Sequence, residues 1–287
     1  MILFDMSNVV FSTCLDFFAS TKTQPDIGMM RHLILNKLIA EKKKLSKFAD
    51  EIIFCFDGPH SWRKQFAPSY KGKRASEREA SDFDWDGFFK DYNQIKQEFR
   101  EYFPVKCIEI ETVEADDIMA ILAMRYGNSK DVVIVSADKD MIQVQQVICD
   151  KVKQYSPYHG KFLKPDGKKT YDLFEHVVRG DAGDGVPNIL SDEDTFMVEG
   201  KRQKAMKATD VDKWRAHGLN NPEMFCKNEA MLKRFEQNRK VIDFRMIPDD
   251  LANKIVEAYN AAEPVRGKMH TYLTGNRLTK IMIAGGW

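Results

Sequence analysis

The chain has 287 residues, of which 43% are hydrophobic and 30% are charged, a composition typical of a soluble globular protein with one or two domains. Its formal net charge of +1 excludes a global electrostatic attraction to nucleic acid or membranes, so any such binding must depend on local clusters of charge. No uncharged apolar run approaches ~18 residues and no basic leader precedes Ile2, so we expect neither a membrane span nor secretion.

The cysteines indicate a reducing environment. Five of them lie scattered along the chain, at positions 14, 55, 107, 149 and 226, and none forms a CxxC pair. An odd, scattered set favours reduced thiols in a cytosol-like compartment. Cys55 and Cys107 lie within apolar runs, where packing in a core is the expected role.

Short apolar runs alternate with helical patterns along the first half of the chain. The predicted strands are Ile2 to Phe4, Ile52 to Phe56, Val105 to Ile110 and Asp131 to Val135. Between them, apolar residues recur at helical spacing, first at Met30, Leu33, Ile34 and Leu38, and later at Phe88, Tyr92, Ile95 and Phe99. This alternation predicts an α/β fold with a mostly parallel central sheet and helices on both faces.

Carboxylates follow the end of each predicted strand. They are Asp5, Asp57, the group Glu114, Asp116 and Asp117, and the pair Asp138 and Asp140. Because parallel sheets hold ligands beyond the carboxyl ends of their strands, we expect these seven side chains to converge on one edge. Crowded carboxylates raise each other's pKa or bind cations, and hard divalent ions prefer oxygen ligands. The pattern predicts a Mg²⁺ or Mn²⁺ site.

The acidic segment Thr112 to Met124 also fits a simpler interpretation. Ile118, Ile121 and Leu122 have the spacing of one buried helix face, and the acids fall in the first turn, where carboxylates commonly cap a helix. Asp57 and Asp138, taken singly, fit turn or cap positions equally well. Recurrence at four strand ends favours the metal site. The chain has no HExxH motif and no Cys/His cluster, which disfavours zinc.

The insertion after Asp57 is basic and aromatic. Between Pro59 and Ala80, six Lys or Arg residues and two Glu residues give a local charge of +4, with Trp62, Phe66 and Tyr70 interleaved. Basic side chains follow a phosphate backbone and aromatic faces stack on unpaired bases, so the combination favours single-stranded nucleic acid. A solvated surface is the alternative for any charge run.

The second half of the chain is predicted to be mainly helical. A helix ends at Gly180, and the following turn, residues 181–188, offers backbone N–H groups for a phosphate and Asp181 and Asp184 for a cation, or is an ordinary surface turn. Glu199 to Lys207 is a basic cluster that suits either a duplex or a solvated helix face. Pro248 opens a further helix with Leu251, Ile255 and Tyr259 inward.

In this order, the motifs FDMSN, FDG, VEADD, SADKD and GDAGDGVPN resemble those of the 5′-nuclease family, which includes flap endonucleases and the 5′-nuclease domains of bacterial DNA polymerases. The segments RHLILN, VIDFRMIPDDLANKIVEAYN and RGKMHTYL are similar to the ribonuclease H and 5′-3′ exonuclease branch found in T-even bacteriophages. The resemblance covers nearly the whole chain. It implies a nuclease domain at residues 1–180 with a basic arch at 58–90, and a helical duplex-binding region at 181–287 that begins with a helix-three-turn-helix element.

The resemblance also implies roles for individual residues. A first metal would lie near Asp5, Asp57, Glu114, Asp116, Asp117 and Asp138, and a second near Asp140, Asp181 and Asp184. Lys71 and Arg74 would meet the scissile phosphate and act in catalysis with Asp116 and Asp138. Tyr70 would stack on a terminal base. Further nucleic-acid contacts are expected from Arg63, Lys64, Lys73, Gly183, Gly185, Lys201, Arg202 and Lys204.

The chain is therefore predicted to be a Mg²⁺-dependent 5′-3′ exonuclease and flap endonuclease that acts on RNA in RNA–DNA hybrids and on duplex or flapped DNA. Its implied task is the removal of lagging-strand RNA primers in phage replication. Two Mg²⁺ ions are expected, with Mn²⁺ as a substitute. The resemblance also implies a K⁺ ion near residues 180–188, although here Ile189 to Val198 separates this turn from the next glycine.

The expected partners are these nucleic acids and a single-stranded DNA-binding protein or other replication proteins. We expect a monomer in the cytoplasm of the host cell. Two rival interpretations remain open: a smaller type of metal-dependent ribonuclease, and a non-catalytic nucleic-acid-binding module whose acids are structural.

Overall fold

The computed structural model describes residues 1–147, 151–165, 171–278 and 280–281, with the side chains of 146 and 147 left aside. The chain divides into two compact units. The first comprises Met1–His60, Ser81–Pro165 and Asp249–Trp287, and the second comprises Ser61–Ala80 and Asp166–Pro248. Each unit draws on segments from both sides of residue 180, so these structural units do not correspond to the predicted functional division there, which stays a prediction.

A six-stranded sheet forms the centre of the first unit. Its strands are β1 (Ile2–Asp5), β2 (Ile52–Cys55), β3 (Lys106–Ile108), β4 (Val132–Val135), β5 (Val152–Ser156) and β6 (Lys161–Leu163). They lie in the order β3-β2-β1-β4-β5-β6, and neighbouring strands are parallel except for the β5–β6 pair. Strand order reverses between β1 and β4, which is where open α/β sheets bind their ligands.

Eleven α-helices lie within the described residues. They are α1 (Met6–Thr21), α2 (Ile27–Lys44), α3 (Arg74–Glu79), α4 (Trp85–Tyr102), α5 (Ala115–Tyr126), α6 (Ile142–Val147), α7 (Leu173–Arg179), α8 (Ala208–Arg215), α9 (Glu229–Ile242), α10 (Asp249–Ala261) and α11 (Met269–Gly275). Four of these, α3, α7, α8 and α9, belong to the second unit.

Helices cover both faces of the sheet. On one face, Phe4 and Phe54 of the strands join a hydrophobic cluster with side chains from α1, α2 and α4. Side chains alternate along a strand, so the fully buried Leu3 and Ile53 point to the other face, where α5 contacts β1, β2 and β4. The predicted fold class, a mostly parallel sheet between helices followed by a mainly helical region, is confirmed.

The second unit has a hydrophobic core of its own. The core combines Ala67 and Tyr70 from the insertion with side chains of α7, α8 and α9, including Val177, Trp214 and Phe235. The predicted arch is therefore divided: residues 61–80 lie in the second unit, and residues 85–90 are the start of α4 in the first.

Two helix predictions for the C-terminal half are confirmed, and one of the two alternatives for the basic cluster is excluded. Helix α7 ends before Gly180, which has a φ of 67° that glycine adopts without strain. Helix α10 follows Pro248 and buries Leu251, Ile255 and Tyr259. Residues 201–207 have no regular secondary structure, so the basic cluster there is not a helix face.

The cysteine prediction agrees with the structure where it is described. Cys14, Cys55, Cys107 and Cys226 are free thiols, whereas Cys149 lies outside the described residues. Burial raises the pKa of the Cys14 and Cys107 thiols to about 12, as suits packing residues. Within the described part of the chain, no helix combines the length and apolar character that a membrane span requires.

Candidate active site

Asp5 lies at the centre of the carboxylate edge. It ends β1, and its Oδ1 caps α1 by accepting a hydrogen bond from the backbone N–H of Asn8 at 2.9 Å. Only 6% of the residue is exposed. The pKa of Asp5 is raised from 3.8 to about 7, mainly by burial and also by the carboxylates of Asp57 and Asp138, against the opposing effect of its hydrogen bonds. The carboxylates that follow β1, β2 and β4 therefore lie close together.

The register of the sheet explains this convergence. Asp5 is opposite Cys55 of β2, and Phe4 is opposite Val135 of β4, so the three strands end at nearly the same level. Cys55 is the last residue of β2, and its thiol is fully buried at this edge. Burial raises its pKa well above the ordinary value, and the nearby charges of Asp5 and Asp116 raise it further.

Ser136 connects the ends of β1 and β4. Its hydroxyl donates to Asp5 Oδ2 at 2.8 Å and accepts from the backbone N–H of Asp138 at 3.1 Å. Asn8 makes a second connection, because its Oδ1 accepts from the N–H of Ala137 at 3.2 Å. Gln154 of β5 donates to the carbonyl oxygens of Ser136 and Asp138 at 3.0 and 2.5 Å. These bonds fix the backbone that carries Asp138.

Asp57 fixes the start of α5. Its Oδ1 accepts from the backbone N–H of Ala115 at 2.9 Å, in the first turn of that helix. Gly58 allows the chain to pass closely here, since a Cβ atom at this position would lie 2.0 Å from the carbonyl oxygen of Ile110. Asp57 is exposed, so an oxygen of this carboxylate is accessible to a ligand from solvent.

The acids of α5 take two different positions. Glu114 and Asp117 form a capping box, in which Asp117 Oδ2 accepts from the Glu114 N–H at 3.1 Å and the Glu114 side chain accepts from the Asp117 N–H. Asp117 is completely buried and Glu114 is 6% exposed. Asp116, between them, is half-buried. The capping interpretation is therefore correct for Glu114 and Asp117, and it leaves their metal roles as predictions.

Asp138 and Asp140 follow β4 in a short 3₁₀ helix, Lys139–Met141. Asp138 caps it, since its Oδ1 accepts from the Asp140 N–H at 2.8 Å. Both residues are half-buried. With Asp5, Asp57 and Asp116 they give the first unit an edge lined by carboxylate oxygens, the donor set that suits a hard divalent cation.

In the second unit, the YKGKR segment is bonded to the glycine-rich turn. The N–H of Lys71 donates to the carbonyl oxygen of Asp184 at 2.7 Å, and the Ser69 hydroxyl donates to the carbonyl oxygen of Gly185 at 2.8 Å. The Arg74 guanidinium pairs with Asp184 Oδ1 at 2.8 Å. Two motifs that are more than 100 residues apart in the chain thus form one structure.

The contact constrains two backbones. Gly185 has a φ of 74°, and a Cβ atom there would lie 2.3 Å from the carbonyl oxygen of Ser69. Lys71 has a φ of 53°, a left-handed conformation that costs an L-residue roughly 1–2 kcal/mol. Strain of this kind persists only where the surrounding contacts impose it. In this conformation the Lys71 ammonium lies 5.0 Å from the centre of the Tyr70 ring.

Asp181 organises the turn from within. Its Oδ1 accepts from the N–H groups of Gly183 and Asp184 at 2.9 and 3.2 Å, and its Oδ2 lies 3.0 Å from His176 Nε2. His176 Nδ1 in turn lies 2.8 Å from the hydroxyl of Tyr171. Gly183 is exposed at the tip of the turn.

Two of the predicted nucleic-acid contacts are buried, and their roles stay predictions. Arg63 is 3% exposed, and its Nε donates to the carbonyl oxygen of Val241 at 2.7 Å. Tyr70 is 5% exposed and belongs to the core of the second unit, so its ring is not presented for stacking on a base. Trp62 is buried as well, at 3%. The long-range partners of Arg63 and Tyr70 give these two side chains a structural role.

The remaining basic residues differ in their surroundings. Lys64, Lys73, Arg202 and Lys204 are exposed. Lys201 is less exposed and pairs with Asp192 at 3.0 Å and with Asp194, while Lys204 lies 3.4 Å from Asp192. Hydrogen bonds to these carboxylates raise the pKa of Lys201.

Several residues of the site were not predicted from the sequence. Ser136 and Asn8 lie within the motifs SADKD and FDMSN, in which only the acids were predicted to be functional. Gln154 lies in β5, which carries no motif, and His176 was read only as part of a helix. For Gln154 a signal existed in principle, since a polar residue that is fully buried requires partners.

Family models match the chain along its length. Residues 1–172 match the N-terminal, resolvase-like domain of 5′-3′ exonucleases, and residues 167–284 match the C-terminal domain of T4 RNase H. The chain belongs to the 5′-3′ exonuclease family. It is therefore a nuclease, an enzyme that hydrolyses phosphodiester bonds, which confirms both the predicted family and the predicted enzyme class.

Similar proteins agree with this assignment. Over 290 residues the nuclease is 33% identical to ribonuclease H of Enterobacteria phage T4, an alignment that covers 97% of this chain and 92% of that protein. Over 175 residues it is 29% identical to a 5′-3′ exonuclease of Buchnera aphidicola, covering 56% and 54% of the two chains.

Solved structures from bacteriophage T5 share the fold. A T5 flap endonuclease in a complex with DNA and metal ions matches with a TM-score of 0.61 and 18% identity, covering 90% of this chain and 98% of that one. A T5 5′-exonuclease with bound zinc matches with a TM-score of 0.57 and 19% identity, covering 90% and 92%. The mixed α/β architecture is therefore that of known 5′-nucleases.

Proposed function

We propose that this nuclease is a Mg²⁺-dependent enzyme that cleaves RNA in RNA–DNA hybrids and flapped or duplex DNA from a 5′ end. The observation that carries the proposal is the crowding of carboxylates at the β1–β4 edge, where Asp57 and Asp138 help to raise the pKa of Asp5. The substrates are supported by the relative named ribonuclease H and by the fold shared with a flap endonuclease.

The metal would be held by Asp5, Asp57, Asp116 and Asp138. This set fits a hard cation, because it offers carboxylate oxygens alone and because a cation would offset both the desolvation of Asp5 and its repulsion by Asp57 and Asp138. Bound Mg²⁺ would supply a more acidic water molecule and stabilise the leaving 3′ oxygen. Mn²⁺ has the same ligand preference and is the proposed substitute. Asp140 adds a carboxylate to the same edge for a second ion.

Glu114 and Asp117 have a different proposed role. Their carboxylates hold the N-terminus of α5 through the capping box, and the same first turn carries Asp116 and the N–H group that binds Asp57. They would orient Asp116 and Asp57, and thereby set the distance between two metal ligands. In this proposal they are positioning residues.

Asp181 and Asp184, the acids predicted to bind a cation at residues 180–188, have partners within the second unit. Asp181 accepts two backbone hydrogen bonds and lies against His176, and Asp184 is paired with Arg74. The metal roles of Asp181 and Asp184, and a K⁺ ion at this turn, stay predictions. Lys71 and Arg74 would bind a phosphate group of the substrate, since their charges neutralise charge that accumulates on phosphate oxygens.

The biological task follows from these substrates. An enzyme that removes RNA from hybrids and trims flaps would clear RNA primers from lagging strands during phage replication, inside the host cell. A monomer recruited by a single-stranded DNA-binding protein or another replication protein is consistent with this task.

Cleavage of a 5′-labelled RNA–DNA hybrid tests the proposal. With Mg²⁺ we expect short labelled products with 3′-hydroxyl ends, and no cleavage in EDTA. Asp138→Asn should lose activity by at least about 100-fold, because loss of a direct ligand should cost more than the roughly 10–100-fold lost when a residue that only orients a metal ligand is replaced. Asp131→Asn is the matched control, since Asp131 is an exposed acid just before the same strand.

The outcomes separate the rival functions. Tight binding without cleavage by the wild type would favour the non-catalytic module. Cleavage of hybrids but not of flapped DNA would favour a ribonuclease of the smaller type. Unchanged cleavage by Asp138→Asn would refute the metal assignment.

A further inference from the structure

A loop in the second unit carries an apolar tip on a firmly bonded base. The ion pairs of Lys201 with Asp192 and Asp194 connect its two ends, and the N–H of Lys201 donates to the carbonyl oxygen of Val198 at 3.2 Å. Asn188 Nδ2 also donates to the carbonyl oxygen of Lys204 at 2.9 Å. This is the stretch that separates the glycine-rich turn from the next glycine, and its contacts give it a defined shape.

The tip exposes two adjacent apolar side chains. Met197 is 60% exposed and Val198 is 50% exposed. Single exposed apolar residues are common, but adjacent ones at the tip of a bonded loop form a patch that a ligand can cover. Phe196 extends the patch, with its ring centre 4.9 Å from the Lys73 ammonium.

These residues border a groove of about 670 Å³. One wall is formed by Lys73, Ser76 and Glu77, and the other by residues 195–203. The groove carries the cations Lys73, Lys201 and Arg202 and the anions Glu77 and Glu199. Lys201 is engaged by its two aspartates, so the exposed Lys73 and Arg202 are the cations presented to a ligand.

The groove is continuous with the proposed phosphate-binding segment. Lys73 lies between Lys71 and Arg74 of the chain, and Lys71 is fixed by the bond from its N–H to Asp184. A strand whose phosphate is bound by Lys71 or Arg74 would therefore lie next to the groove wall that carries Lys73. We propose that this groove binds an unpaired nucleic-acid strand, with Met197 and Val198 against bases and with Lys73 and Arg202 at phosphates. The inference rests on the proposed nuclease function and adds a site to it.

The chemistry favours an unpaired strand over a duplex. Duplex DNA presents phosphates and sugars outward and keeps its base faces stacked, whereas an unpaired strand offers those faces to apolar side chains. Two acids in the groove repel phosphates, so the backbone has only two favourable positions, at Lys73 and Arg202. A uniformly basic surface would be expected for a duplex.

Binding measurements on two substrates test the site. The double variant Met197→Ser, Val198→Ser is compared with Met224→Ser, since Met224 is 67% exposed in the same unit and lies outside the groove. Fluorescence anisotropy in EDTA measures the affinity for a blunt duplex and for the same duplex with a 5′ single-stranded flap. We expect about fivefold to tenfold weaker binding of the flapped substrate by the double variant, with no change for the blunt duplex. Arg202→Gln should weaken flap binding as well.

Three results would overturn the inference. An equal loss of affinity for both substrates would indicate a duplex contact, and no loss of affinity for either would leave a protein partner as the occupant. The third is an equal loss of affinity for the flapped substrate with Met224→Ser. Cleavage assays in Mg²⁺ on the same DNA separate this from the parent proposal. A wild type that cleaves, with a double variant that binds flaps normally, refutes the groove alone. A wild type that binds but never cleaves refutes the nuclease function.

Discussion

Replacing Asp5 by asparagine is expected to stabilise the metal-free protein while abolishing its activity. Asp5 is buried against two other carboxylates, and its pKa is raised from 3.8 to about 7. A raised pKa means that the folded state binds the proton more tightly than the unfolded state. The free energy of unfolding therefore falls as pH rises from 3.8 to about 7, and the whole loss is present above pH 7.

The size of the effect follows from this pKa. Each pKa unit is worth about 1.4 kcal/mol, so ionised Asp5 destabilises the metal-free protein by about 4 kcal/mol at pH 8. Asparagine removes that charge. It keeps one acceptor oxygen for the Asn8 N–H, while the bond from Ser136 must reorganise, at a cost of about 1 kcal/mol. The net gain is about 3 kcal/mol at pH 8 and less than about 1 kcal/mol at pH 5.

Urea unfolding in EDTA, followed by circular dichroism at pH 5 and pH 8, measures this difference. Asp16→Asn provides the control, because Asp16 is an exposed acid on the same helix that Asp5 caps. Saturating Mg²⁺ should reduce the advantage of Asp5→Asn at pH 8, since only the wild-type site gains from the cation. No stabilisation in EDTA, or the same stabilisation at both pH values, would refute the reasoning.

Three further predictions concern other parts of the molecule. Gly185→Ala should lower the free energy of unfolding by about 2–4 kcal/mol, because its Cβ atom would lie 2.3 Å from a carbonyl oxygen. Gly200→Ala is the control, since Gly200 has a similar φ of 76° and nothing within 4 Å of the added Cβ atom. It should cost only about 1 kcal/mol in the same urea assay. Lys71→Gly should be more stable than Lys71→Ala by about 0.5–1 kcal/mol, since glycine accepts the φ of 53°, while anisotropy should show both variants binding DNA equally weakly. Burial raises the pKa of Glu98, but its hydrogen bonds, chiefly with Arg31, outweigh this and lower it, so Glu98→Gln should reduce stability by about 1 kcal/mol at pH 7, with a smaller loss as pH falls below 4.5.

The carboxylate edge was predictable because strand ends leave a local signal. A fully apolar run of three residues followed by an acid, as in Ile2 to Asp5, marks both a buried strand and the point where the chain leaves the sheet. Parallel pairing then brings such points together, whatever their separation in the chain. The convergence of Asp5, Asp57 and Asp138 depends only on the strands being neighbours and ending level.

Helix α1 was not predicted, because its sequence lacks the charged residues that usually mark helix ends. Its sequence, MSNVVFSTCLDFFAST, has no acid in the first turn and no base in the last, and its Ser12 and Thr13 hydroxyls donate to carbonyl oxygens one turn earlier. The helix N-cap is Asp5 itself, which was interpreted only as a strand-end acid. Strands β5 and β6 were missed because lysines interrupt their apolar pattern.

The burial of the insertion could not be predicted from local composition. Arg63 looks like any residue of a basic surface until the carbonyl oxygen of Val241, almost 180 positions later, becomes its partner. Tyr70 likewise contributes to a core whose other members come from α7, α8 and α9. The identity of such partners depends on tertiary structure, so charge and aromatic content overestimated the part of this segment that reaches solvent.

The acidic helix α5 shows why the capping and metal interpretations do not compete. A capping box needs an acceptor at the N-cap and at the third helical position, which here are Glu114 and Asp117. The acid between them is left outside the box, and the helix that the box stabilises points its N-terminal N–H groups toward Asp57. Because the helix dipole favours negative charge at this end, it lowers the cost of placing the charges of Asp116 and Asp57 near the N-terminus of α5 before any cation binds. The two carboxylates that stabilise the helix therefore make it possible for the others to be concentrated at the edge of the sheet.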